Sequence, residues 1–334
     1  MAFLEAHDLV VEYTTKRGTI RALDEATLTV DAGEIVGVVG ESGSGKSTIG
    51  AAMGHLLPHN ARISGGDVLV GGRSLRGLSD DELLALRRDE LGFVFQDPIG
   101  TLDPTARVGR QLRWVLGKAT TDDELRTALE RVRLDDPDRV LRAFPHQLSG
   151  GMAQRVSIAL ALAGNPKAVI ADEPTASLDA SVRTEILELL VGVAREASSA
   201  LVLMSHDLRA VRRYCTRVAV VYGGRVVETG AAEQLFASPA HPYTQALLGA
   251  APGAERPGET LLPIPGIPPV LHSPYPGCAF APRCPAVVAA CTTERPRLRA
   301  IGAHDGRGGG TRDGRAVVCH VAGGRPVAAV GEAS

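Results

Sequence analysis

Residues Gly40 to Thr48 read GESGSGKST, and no other stretch of the 334-residue chain limits its fold so sharply. Gly40, Gly45, Lys46 and Ser47 occupy the fixed positions of the pattern G-x-x-x-x-G-K-[ST]. The flanks supply the context the pattern needs. EIVGVVG, Glu34 to Gly40, is a short apolar, β-branched run bounded by Gly33, which predicts a buried parallel strand. TIGAAMGHLL, Thr48 to Leu57, predicts a helix ending before Pro58. In this order the unpaired N–H groups of the helix start, carrying about half an elementary charge, face the glycine turn and attract phosphate. Glycines at 40, 43 and 45 let the backbone curl with its amides inward. Lys46 is then placed to reach the outer phosphates, and the Ser47 hydroxyl to ligate Mg²⁺.

At ~100–200 residues per domain the length predicts two or three domains. A net charge of −2, with no basic stripe interleaved with aromatics, argues against nucleic acid as a partner. The start, MAFLEAHDLVVEY, has no basic segment followed by an apolar core, so no signal peptide is expected. No run approaches the ~18 apolar residues of a membrane-spanning helix. A soluble, cytosolic chain follows as the expectation, with any membrane role exercised through partners.

Residues 1–31 hold two alternating segments around TTKRG, which predicts a hairpin or paired edge strands. Tyr13 ends the first segment and either packs there or stacks on a purine ring. RISGGDVLVGGRSLR, residues 61–75, predicts a short strand pair with glycine turns. Ser79, with Glu82 three residues later, forms a capping box that starts a helix. The strand LGFVFQDP closes on Gln96, either an inward-pointing ligand or an ordinary strand end. Residues 106–145 carry amphipathic helical patterns without a strand signal, a helical insert in an α/β core running from about 98 to 165. LSGG, Leu148 to Gly151, then sets Ser149 ahead of two glycines at the start of a helix reaching about Ala163, a second anion-ready helix terminus. AVIADEP leaves Asp172 and Glu173 at the C-terminal edge of a strand, where open α/β sheets hold their ligands. Asp172 suits a Mg²⁺ partner and Glu173 the base that orients an attacking water. ALVLMSHD ends a further buried strand on His206 and Asp207, placing His206 on the same edge as Gln96 and Glu173 for a γ-phosphate contact.

Together GESGSGKST, Gln96, LSGGMAQRV, VIADEP, SLD and SHD resemble the nucleotide-binding subunit of ABC transporters over roughly residues 3–237. LSGGMAQRV with Met152, DEPTASLD, SPAHPYTQALLGAAP and PGCAFAPRCP further resemble the dipeptide/oligopeptide importer ATPases, of the first-subunit type. The resemblance implies an α/β P-loop fold, with a mixed core sheet, an antiparallel β subdomain and a helical insert in 1–237, and a small irregular, metal-binding extension in 238–334. It implies ATP held by Tyr13, Gly40, Ser42, Gly43, Ser44, Gly45, Lys46, Ser47, Thr48 and Gln96, and Mg²⁺ by Ser47, Gln96 and Asp172. Glu173 would be the base, His206 the γ-phosphate sensor and Lys46 a catalytic cation. Ser149, Gly150, Gly151 and Gln154 would serve the ATP of a facing subunit. The implied partners are a second, different ATPase chain, two permeases and an extracytoplasmic binding protein, with the chain at the cytoplasmic face of the membrane. A nickel or other small-solute importer of the same family, or a soluble ABC ATPase outside transport, is the alternative.

Beyond Ser238 proline becomes frequent, which predicts neither helices nor central strands, and 302–315 reads as a flexible loop. Four of the five cysteines, Cys278, Cys284, Cys291 and Cys319, lie here at the spacing C-x5-C-x6-C-x27-C. Zinc sites favour C-x2-4-C pairs, which are absent, whereas four thiolates at wider spacing suit an iron–sulfur cluster. Similar tails in the family imply a [4Fe–4S] site, with zinc as the alternative, His320 as a substitute ligand and unligated thiols as the third reading.

Overall fold

The structure is a computed structural model and describes residues 1–251, 263–301 and 315–322. β1 (Ala2–Thr15) and β2 (Gly18–Asp31) form the expected antiparallel hairpin, closed at Thr15 opposite Gly18. β3 (Ile35–Val39) is buried at every position and leads through the glycine loop into α1 (Lys46–Met53). The helix ends at Met53, capped by Gly54, and not at Leu57, because His55 turns to a φ of 52°; a Cβ at Gly54 would sit 2.1 Å from the Phe93 ring, so only glycine fits there. β4 (Ala61–Val70) and β5 (Arg73–Ser74) complete a four-stranded antiparallel sheet in the order β2-β1-β4-β5. α2 (Asp80–Asp89) starts on the predicted box, Ser79 N donating to Glu82 Oε2 at 2.8 Å.

After β6 (Leu91–Val94) come the helices of the insert: α3 (Pro98–Thr101), α4 (Val108–Leu116), α5 (Asp122–Arg131), α6 (Pro137–Arg142) and α7 (Gly150–Leu162). The core resumes with β7 (Ala168–Asp172), α8 (Ala180–Glu196), β8 (Ala200–Met204), α9 (Leu208–Tyr214), β9 (Arg217–Tyr222), β10 (Arg225–Ala231) and α10 (Ala232–Ala237). Then follow α11 (Pro242–Gly249), α12 (Ala290–Thr293), β11 (Leu298–Ala300) and β12 (Ala316–Val318). The main sheet runs β11-β12-β10-β9-β3-β8-β7-β6, parallel from β9 to β6 and antiparallel beyond β9.

The parallel strands are apolar without alternation because both faces are covered. Ile35 and Val39 join the core with α7, α8 and α9, while Val36 and Val38 join the one with α1 and the β1–β2 hairpin. This burial brings the C-terminal ends of β3, β6, β7 and β8 to one edge, where the loops leave for the site.

The region after Ser238 departs from expectation. α11 forms because Pro242 sits at its first position, where no N–H is needed, and the His241 side chain caps it by accepting from Tyr243 N at 3.0 Å. β12 pairs with β10, Glu228 opposite Val317, so the tail extends the main sheet. The loop expected over 302–315 lies, up to 314, outside the described residues. Among the described residues no helix is long and apolar enough to cross a membrane.

Candidate functional site

Two glycines shape the loop after β3. Gly40 has a φ of 156°, and a Cβ there would lie 2.2 Å from Val221 O. Gly45, at 110°, caps α1, and its Cβ would meet Ala22 O at 2.9 Å. No L side chain fits either position. Between them the chain curls over a cavity of about 450 Å³ lined by Ala22, Ser42, Gly43, Gly45, Lys46, Ser47, Thr48, Gln96, Glu173, Ala176 and His206. Gln96 lies two residues beyond β6 and is exposed. Ser44 does not line the cavity; it is buried, its carbonyl accepting from Gly224 N at 2.9 Å.

Lys46 is buried, its ammonium donating to Gly40 O at 2.8 Å and Glu41 O at 3.1 Å. Burial pulls its pKa below the ordinary lysine range, opposed by the carboxylates of Glu173, Asp172 and Glu41. Burial likewise pushes Asp172 upward, opposed by a hydrogen bond from Ser47 and the charge of Lys46. Asp172 Oδ1 is buried and has no hydrogen-bond partner among the described residues. A buried, unpartnered carboxylate oxygen with a serine hydroxyl on the same group is a hard oxygen donor set of the kind Mg²⁺ takes.

Glu173 follows β7 with a φ of 47°, a left-handed conformation that costs a non-glycine residue on the order of 1–3 kcal/mol. Its N–H donates to Met204 O at 3.0 Å, and its carboxylate lies 2.8 Å from His206 Nδ1. Sequence reasoning put Glu173 and His206 on one sheet edge but not in direct contact. Tyr13 does not line the cavity; its hydroxyl is 3.3 Å from Thr48 Oγ1 and its ring packs on the hydrophobic core.

The LSGG segment stands apart from this cavity. Ser149 caps α7 by accepting from Met152 N at 3.3 Å, and Ser149 and Gly150 are exposed. Gln154, one turn further on, is instead wholly buried, so it leaves the face on which Ser149 stands.

The expected metal site at the tail cysteines is not supported. The backbone does bring the tail cysteines near one another, with Cys278 N donating to Cys291 O at 2.7 Å. Burial, reinforced by Cys319, Cys291 and Cys284, raises the Cys278 thiol to about 11. Burial likewise raises the Cys284 and Cys319 thiols. Among the described residues no group of three or more His, Cys, Asp or Glu side chains is arranged to hold a metal ion, so neither the iron–sulfur nor the zinc expectation is supported. The four pack as small hydrophobes, Cys291 and Cys319 in the interior and Cys278 and Cys284 against the main core. Arg283, beside Cys284, had no role in the sequence reading, since a lone arginine between Pro282 and a cysteine forms no pattern; it reaches Glu41 of the phosphate loop.

Residues 23–176 match the family model described as ABC transporter, and 227–291 match that described as Oligopeptide/dipeptide transporter, C-terminal region. The oligopeptide transport ATP-binding protein OppD of Escherichia coli K12 is 42% identical over 301 residues, 88% of this chain and 89% of its own. The dipeptide transport ATP-binding protein DppD of the same strain is 38% identical over 326 residues, 96% and 97% of the two chains. Among solved structures, a post-hydrolysis dimer of the ATP-binding cassette MJ0796 with ADP and Pi aligns with a TM-score of 0.62 and 31% identity, covering 69% of this chain and 98% of that one.

Proposed function

The chain belongs to the ATP-binding proteins of ABC transporters, in the branch with the oligopeptide/dipeptide C-terminal region, and we propose that it hydrolyses ATP to drive import of di- or oligopeptides through membrane permeases. The observation that carries this reading is one cavity holding the glycine loop, Lys46, Gln96 and the Glu173–His206 pair. Backbone amides from Ser42 to Thr48 and the Lys46 ammonium bind the phosphates. Ser47, Gln96 and Asp172 hold Mg²⁺, which when bound neutralises charge on the outer phosphates. Glu173 accepts the proton of the attacking water, and His206 orients the Glu173 carboxylate while facing the γ-phosphate. Tyr13 stacks on adenine beside Thr48.

Ser149 and Gly150, exposed, and the half-buried Gly151, all outside the cavity, serve ATP bound to a facing ATPase subunit, which in this reading is a second, different chain. A groove of about 590 Å³ between β6 and the helical insert presents exposed Leu84, Phe95 and Trp114, and we assign it to the permeases. An extracytoplasmic binding protein selects the cargo, and the chain works at the cytoplasmic membrane face. Purification of the tagged chain from membranes is expected to bring two multispanning permeases and a second ATPase. Radiolabelled di- and tripeptide uptake by that assembly, lost in Lys46→Ala, completes the test. A chain recovered only alone in the soluble fraction overturns the transport reading, and uptake of nickel without peptide overturns the cargo.

A further inference from the structure

Glu41 belongs to the phosphate loop but does not line its cavity. Its N–H and its carboxylate are engaged from the other side. Its N–H donates to Tyr243 Oη at 2.8 Å. Its carbonyl accepts from Lys46 Nζ at 3.1 Å and Ser44 N at 3.2 Å. Its carboxylate accepts two bonds from Arg283, Nη1 to Oε2 at 2.7 Å and Nη2 to Oε1 at 3.0 Å. Tyr243 and Arg283 are 202 and 242 positions away in the chain, both in the segment that follows α10. The tail therefore grips Glu41 by its backbone N–H and by its side chain, and the same residue's carbonyl accepts from the lysine.

The grip is itself rigidly supported. The Arg283 side chain is 4% exposed, and its Nε donates to Pro265 O at 2.7 Å. Nη2 also reaches Ile264 O at 3.3 Å and Nη1 Tyr222 Oη at 3.3 Å. The guanidinium lies 5.7 Å from the Tyr222 ring centre and 5.9 Å from that of Phe280. Tyr243 packs against both rings, at 4.4 Å and 5.4 Å between centroids. A planar fork locked on one side by carbonyls and rings can meet a carboxylate in only one way, a geometry that lysine does not reproduce.

A glycine-rich loop that must be ordered as ligand arrives loses affinity to that ordering, and a loop ordered beforehand does not. We propose that Arg283 and Tyr243 are positioning residues for ATP: the C-terminal segment holds the phosphate loop at Glu41 in its receiving conformation, so nucleotide affinity depends on a part of the chain remote from the cassette motifs. The inference rests on the cavity being the ATP site. Neither residue reaches the cavity, so the grip acts on binding and leaves the hydrolytic step to Glu173 and His206.

The test is MgATP binding by titration calorimetry on the full chain and steady-state hydrolysis by the assembly purified from membranes. For Arg283→Gln, Kd and KM are expected to rise about tenfold or more while kcat at saturating ATP stays within about threefold, and Arg283→Lys should recover only part of the loss. A purely structural role would instead lower Tm and leave Kd of the folded protein unchanged. Where Arg283→Gln does not fold, Tyr243→Phe keeps the ring packing, removes the one acceptor of Glu41 N–H, and is expected to raise Kd about threefold or more. Lys46→Ala fixes the meaning of the wild-type signal. Lys46-dependent binding with the Arg283 and Tyr243 variants within twofold of wild type overturns the grip alone. Wild-type binding indifferent to Lys46→Ala overturns the ATP site and the grip together.

Discussion

At Glu173 a left-handed backbone, a strand end and a histidine contact coincide, and together they support its proposed role as the base. A glutamate needs none of these to sit at the end of a strand; it needs them to turn its carboxylate over the cavity and hold it 2.8 Å from His206 Nδ1. Strain of this kind persists where the surroundings over-determine it, here through the bond from Glu173 N to Met204 O. Glu173→Gln preserves shape and hydrogen bonding but removes the proton acceptor. ATP affinity is expected to stay within about threefold while turnover falls about 10²–10⁴-fold. Single-turnover hydrolysis and equilibrium binding on the same preparation check it, and near-normal turnover would sink the assignment of the base. Lys46→Ala acts on the other quantity. It removes a buried cation from the phosphate cradle, so binding should weaken by about tenfold or more, roughly 1.4 kcal/mol.

Among the elements, α11 is the one whose stability should follow pH most visibly. His241 is 1% exposed and caps the helix through Nδ1, which requires the neutral ring with its proton on Nε2. Burial lowers its pKa from 6.5 to about 4. Between those values the unfolded chain binds the proton and the folded chain does not, so stability is complete above about pH 6.5 and falls as pH drops toward 4. The full loss is on the order of 3 kcal/mol. His241→Asn keeps a capping acceptor without a titrating group. Denaturant unfolding at pH 7.5 and pH 5 should show a smaller acid loss in the variant; equal losses would mean that the histidine is protonated in the folded protein. This helix also marks where sequence reading stopped. Capping boxes at Ser79, all-apolar strands such as β3, and a Gly-Lys-Ser turn are local patterns, and each formed where its residues predicted. β12 and the Arg283–Glu41 pair depend on partners far along the chain, and frequent prolines hid α11, the helix that Pro242 in fact begins. Gln154 lies within a recognisable motif, but its burial comes from how α7 packs, which no spacing reveals.

For the molecule as a whole, the decisive feature is that its two anion-ready helix starts do not meet. The glycine loop and the Glu173–His206 pair share one cavity, whereas Ser149 and Gly150 stand exposed elsewhere, capping α7 with no part in that cavity. In the proposed reading such a chain carries a binding half and a capping half, and it completes a site by facing another ATPase subunit. If that subunit can be a second copy, ATP should act as the adhesive, and blocking hydrolysis should make the closed state persist. In Glu173→Gln, light scattering with MgATP is expected to report twice the mass seen without nucleotide. Adding Ser149→Arg to that variant places a bulky cation where the facing phosphates would lie against a short hydroxyl. Its own cavity is untouched, so ATP binding is expected to persist while the doubled mass disappears. A doubled mass that survives Ser149→Arg would show that LSGG is not the closing surface. A monomer at every ATP concentration would remove the like-chain pair and leave a different ATPase subunit as the facing partner, which is the arrangement the membrane purification addresses directly.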